Sequence, residues 1–167
     1  ALGFFGAAQL GIPVDREIWR RMAKKTILHQ PFLKASGQRG RKGGTRSEEQ
    51  MGGYTYFPGG RSYPESGSMT TAGLCVLALA NRLCPDGLGG KTLRALHRSK
   101  DQAQRWLNDN FTVSTNPGYP STTYYYLYGV ERVGALLGLE ESGGTPWYRA
   151  GAQWLVGRQS DDGAWGR

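Results

Sequence analysis

The feature that most constrains this chain is an alternation: segments apolar on every side are followed by segments apolar on one stripe only, and the order then repeats. Helices apolar all round belong inside a structure, whereas amphipathic ones lie at its surface, so the alternation predicts two layers of helices. The step is measurable, because Trp106-Leu107 and Trp154-Leu155 are 48 residues apart and the starts Ser68 and Ser121 are 53 apart. Recurrence at such a step is the mark of a helical repeat array.

Apolar spacing predicts about six helices and no strand. The first spans Ala1 to Leu10 and stops at Gly11 and Pro13. The second runs from Asp15, read as its N-cap, to His29, with Trp19, Met22, Ala23, Thr26, Ile27 and Gln30 on one face and Arg20, Arg21, Lys24 and Lys25 on the other. The third, from Ser68 to Leu83, is of the inner type. The fourth, Lys91 to Asn110, is charged outside and carries Leu93, Leu96, Ala103, Trp106 and Leu107 inward. The fifth, Thr122 to Leu137, is inner again. The sixth opens on Thr145-Pro146, a cap followed by proline, and continues through Trp154 to Gln159. Composition agrees: Leu and Ala number 31 against nine for Val and Ile, so sheet formers are scarce, and 26 glycines break the helices into short pieces.

The net charge of +8 is largely local. Lys34, Arg39, Arg41, Lys42 and Arg46 fall in a Gly- and Ser-rich stretch that has no acid or aromatic residue from 34 to 46, part of a basic loop inserted at 31–50; without rings in 34–46 to stack on bases it makes no convincing nucleic-acid site. No apolar run is long enough for a membrane span. Cys75 and Cys84 sit on opposite faces if their segment is helical, which excludes a disulfide, and no histidine stands at metal-ligand spacing from either.

At the last helix the residues read Arg149-Ala150, Trp154-Leu155, Gln159 and Gly163-Ala164-Trp165, each group separated by three residues. This string resembles the QW motif of the squalene-hopene and oxidosqualene cyclases and of the related protein prenyltransferases, the prenyltransferase and squalene oxidase repeat. A degenerate copy surrounds Trp106, with Phe111 in place of Gln and Gly118-Tyr119 at the close. A third aligns Ile27, Leu28 and Gln30 with the last helix and Gly52-Gly53-Tyr54 with Gly163-Ala164-Trp165. The resemblance implies an all-α chain forming part of an α/α toroid, about three helix pairs in units of about 1–60, 61–120 and 121–167. A closed ring at this step needs about six pairs, so the chain reads as an arc of a longer protein whose remaining repeats would be its neighbours.

The resemblance assigns Arg149, Trp154, Leu155, Gln159, Gly163 and Trp165 a structural role, with Gln159 serving carbonyls at a helix end and Trp165 covering that contact. The Asp-x-Asp-Asp acid of the cyclases is absent; Ser160-Asp161-Asp162-Gly163 lacks the first Asp and reads as a turn. No segment matches the Asp, Cys and His zinc set of the prenyltransferases, so no catalytic residue, metal or cofactor is expected in this segment, and the acid or metal ligands of a cyclase-like or prenyltransferase-like enzyme would lie in the remaining repeats. Tyr124, Tyr125 and Tyr128 with Glu131 are the candidate lining of a cavity for an apolar or isoprenoid ligand, although packing alone explains tyrosines beside Gly129 and Gly134. His97 and His29 are expected to be exposed and at a helix end, respectively. The alternative function is a non-catalytic scaffold holding a peptide, lipid or glycan. A carbohydrate-active enzyme would need paired carboxylates, which the inner segments lack.

Overall fold

The computed structural model describes residues 1–30, 52–56 and 64–165, so the basic stretch 31–50 lies outside the described residues. The fold is all-α and helical-repeat-like. Its helices are α1 (Leu2–Gln9), α2 (Arg16–His29), α3 (Gly67–Leu83), α4 (Gly90–Asn110), α5 (Thr123–Leu137) and α6 (Trp147–Val156), with a 3-10 turn at Pro120–Thr122. Among the described residues there is no strand, only isolated bridges between Tyr54 and Ser66 and between Ser142 and Thr145.

Local chemistry explains most boundaries. Asp15 accepts a hydrogen bond from the Glu17 amide at 2.8 Å and caps α2. Gly138, in the left-handed region at φ 63°, ends α5 where a side chain would be strained. Three expected boundaries move. The cap of α3 is Ser66, whose hydroxyl accepts from the Met69 amide, because Ser68 is already inside the helix and engaged elsewhere. Pro146 itself occupies the N-cap position of α6, since Thr145 is held in the bridge with Ser142. Helix α6 stops at Val156, three residues short of Gln159, as the chain turns off at Gly157.

Helices α3 and α5 lie side by side at the centre, α2 and α4 pack on α3, and α6 packs on α5. Two small residues set the central distance: a Cβ on Gly129 would stand 2.2 Å from Thr71 Oγ1, and one on Gly67 would stand 2.5 Å from the Tyr126 ring. Leu74, Cys75, Ala103, Leu107, Tyr126, Leu127, Val130 and Val133 fill the space between α3, α4 and α5. A second cluster joins Ala23 and Ile27 of α2 to Leu77, Ala80 and Leu96. The inner and outer readings of α3 and α4 follow these contacts, with ten residues of α3 buried against five on the longer α4.

Candidate ligand groove and repeat clamps

A groove of about 360 Å³ runs along the side of the molecule shared by α1, α3 and α5. Helical spacing builds both walls. Ser68, Thr71, Ala72, Cys75 and Val76 recur at three- and four-residue intervals on α3, and Tyr125, Tyr128, Gly129 and Arg132 do the same on α5. One wall is therefore small and smooth, the other aromatic. Residues Ala1 to Gly3 complete the lining. Tyr125 and Tyr128 are about half exposed, at 54% and 51%, and the Arg132 guanidinium lies 5.4 Å from the Tyr128 ring centroid while pairing with Glu131. Burial pushes the Cys75 thiol up to about 11, so the groove wall presents it as a neutral group at ordinary pH. Ala72 and Val76 also border a second hollow of about 350 Å³, reached from Thr26, His29 and Tyr54 to Tyr56.

The four candidate lining residues do not act together. Tyr125 and Tyr128 stand in the groove. Tyr124 does not: it turns toward α6, where its ring centroid is 5.7 Å from that of Trp154. Glu131 is spent on Arg132 beside the groove. Arg132 and Cys75, which the sequence reading did not single out, are lining residues; their signal was the i, i+4 and i, i+7 spacing from Tyr128, Tyr125 and Ser68. His97, exposed, is within 3.1 Å of Asn81 Oδ1, and His29 borders the second hollow. Both cysteines are free and buried, Cys84 just past the end of α3 with its thiol directed at Arg16 O. Among the described residues no group of three His, Cys, Asp or Glu side chains could hold a metal ion, and no helix is long and apolar enough to cross a membrane.

The motif residues form two clamps of the same design. Gln159 Nε2 donates to Gly163 O at 2.9 Å, and Gln30 Nε2 donates to Gly52 O at 2.6 Å, in each case to the first glycine of the closing Gly-x-aromatic triplet. Division of labour within the last clamp differs from expectation. Gln159 holds the turn, and the helix-end carbonyl of Leu155 is served by Trp165 Nε1 at 2.8 Å. Asp162 lies in that turn, accepting from the Ala164 amide at 3.1 Å; this bond, with one from Ser160, holds its carboxyl below the usual range. Arg149 is exposed, and Trp154 is half-buried between Tyr124 and the Arg158 guanidinium, 4.3 Å from its ring.

After Trp106 the position aligned with the glutamine holds Phe111, and the polar contacts nearby are made by Asn116. Its Oδ1 accepts from the Ser68 amide at 2.9 Å, and its Nδ2 donates to Ser68 Oγ and Thr122 Oγ1, tying α3 to the start of α5. Gly118, at φ 74°, lets the chain pass Glu65 O where a Cβ would come within 1.9 Å. Compared with known proteins, the chain matches no family model, and no curated protein or solved structure is similar to it.

Proposed function

We propose that this chain is an arc of an α/α toroid of the squalene-cyclase and prenyltransferase type, whose inner helices α1, α3 and α5 wall a cavity for an apolar, isoprenoid-like chain. The observation that carries this reading is the groove itself, since all its lining residues except Ala1 come from α1, α3 and α5. The two equivalent glutamine clamps support the repeat pattern on which the toroid rests. A wall of Ala72, Cys75 and Val76 facing Tyr125 and Tyr128 suits a narrow hydrocarbon, and about 360 Å³ falls in the lower part of the range for small-molecule sites. No residue is given a catalytic role.

Titrating the chain with farnesol tests this. Saturable binding is expected, weakened about tenfold or more by Ala72→Trp, which fills the groove from the small-residue wall, with little change in Tm. Absence of saturable binding to the folded chain sinks the isoprenoid reading. A second reading, a scaffold for a peptide, lipid or glycan, draws on Arg132 over the exposed Tyr128 ring and on the exposed Tyr125, which offer rings and a cation to a polar ligand. Binding that Arg132→Leu abolishes and that farnesol does not compete for would favour it.

A further inference from the structure

Arg132 is the only charged side chain among the residues lining the groove, and its surroundings set what can meet it. Parallel packing of α3 and α5 fixes its place. Gly67 lies against Tyr126 and Thr71 against Gly129, so Ser68 and Tyr125 mark one end of the groove. Cys75, Val76 and Arg132 mark the other, about 12 Å away by the α-helical rise.

The two ends differ in the polar groups they leave for a ligand. At the first, the Ser68 hydroxyl accepts from Asn116 Nδ2 at 3.0 Å and lies 2.8 Å from the Tyr56 hydroxyl, while the Thr71 hydroxyl donates to Ser68 O at 2.9 Å. These groups already have partners inside the protein. At the second end Arg132 is held on one edge only: its Nε donates to Glu131 Oε2, and its Nη1 and Nη2 have no partner among the described residues. Arg20 shows the contrast, because Glu17 takes both its Nε and its Nη2, at 2.5 and 2.7 Å. The Glu131 bond and the Tyr128 ring, whose centroid is 5.4 Å from the guanidinium carbon, hold the Arg132 head on two sides. Its charge also reaches the facing wall. Burial raises the Cys75 thiol, and Arg132 is the largest influence pulling against that rise.

We infer that the groove takes an apolar chain ending in a carboxylate, with the carboxylate on Nη1 and Nη2 of Arg132 and the tail running between Ala72 and Tyr125 toward Ser68. The inference rests on the groove reading proposed above and adds the head group and the direction of the chain. The two terminal nitrogens of a guanidinium match the two oxygens of a carboxylate, and the pairing strengthens where apolar walls exclude water. A single negative charge is the fit, since the lining offers one cation and Glu131 stands beside it. A phosphate or diphosphate head would bring further negative charge toward Glu131, with no second charged side chain in the lining to offset it.

Farnesol and farnesoic acid separate the head group from the chain, because they differ only at that end. Calorimetric titration of the full chain at neutral pH, where the acid is ionised, is expected to show farnesoate binding about tenfold or more tighter than farnesol, each displacing the other. In Arg132→Gln the ratio of the two affinities falls toward one, and Arg132→Lys, which keeps the charge without the paired edge, retains part of it. Ala72→Trp weakens both ligands alike. Saturable binding of both with a ratio near one in the wild type overturns the carboxylate and leaves the groove reading in place. A ratio that Arg132→Gln leaves unchanged does the same, since the acid would then sit elsewhere on the chain. Farnesyl phosphate binding more tightly than farnesoate would overturn the match of single charges. If neither farnesol nor farnesoate binds the folded chain, the groove reading itself fails and this inference with it.

Discussion

At the scale of the residue, context decides what a repeated side chain is worth. Gln30 and Gln159 make equivalent bonds, yet one is buried and the other is in water. Gln30→Ala leaves Gly52 O without its Gln30 donor in the interior and removes two bonds to Ser99, whose hydroxyl keeps Tyr54, and an unsatisfied buried polar group costs about 1–3 kcal/mol. Urea denaturation should therefore show Gln30→Ala destabilised by roughly 3 kcal/mol, whereas Gln159→Ala loses at most about 1 kcal/mol because water replaces the lost partner. Equal losses would refute the distinction. Tyr54 gives a pH signature. Burial pushes its phenol up to about 12 from the ordinary 10, opposed by the bond to Ser99, so the folded state keeps a proton that the unfolded state releases. This contribution is fully present below pH 10 and is lost as pH rises from 10 toward 12. Thermal melts at pH 9 and 11.5 should show Tm falling for the wild type, and falling less for Tyr54→Phe.

At the scale of the element, each helix was legible in proportion to how local its determinants are. Periodicity and the Asp15 cap placed α2 to within a residue. The start of α3 was displaced because Ser66 and Ser68 are both competent caps, and the choice fell to Asn116, 48 residues away, which claims the Ser68 amide and hydroxyl. Likewise the tyrosine-rich face of α5 announced an aromatic helix, but which rings face the groove depended on where Trp154 of α6 came to rest and drew Tyr124 away. The α3–α5 contact makes its own prediction. Gly129→Ala forces a methyl against Thr71, whose hydroxyl is bonded to Ser68 O, so relief requires the two helices to part. A loss of about 1–3 kcal/mol is expected in denaturant titration. Gly151→Ala, in open space on α6, should be neutral or slightly stabilising in the same assay.

At the scale of the molecule, stability is graded along the array. Helices α3 and α5 have neighbours on several sides, whereas α6 packs on α5 and buries no residue fully. In a repeat array each pair gains most of its stability from its neighbours, and α1, like α6, buries no residue fully, so both ends should open before the centre. Native-state hydrogen exchange is expected to show amides of 147–156 exchanging well before those of 67–83, and simultaneous exchange would contradict a nearest-neighbour description.

The sequence by itself determined the all-helical class, the order of apolar and amphipathic helices, and the recurrence of the Gln and Gly-x-aromatic elements. These depend on side-chain period and on turn chemistry within a few residues. Only tertiary structure decided that Asn116 ties α3 to the start of α5, that Trp165 and not Gln159 serves the helix-end carbonyl, and that Arg132 and Cys75 join two tyrosines in the groove. Those outcomes depend on which distant backbone groups need a partner and how closely two helices approach, and neither quantity is written in the local pattern of the chain.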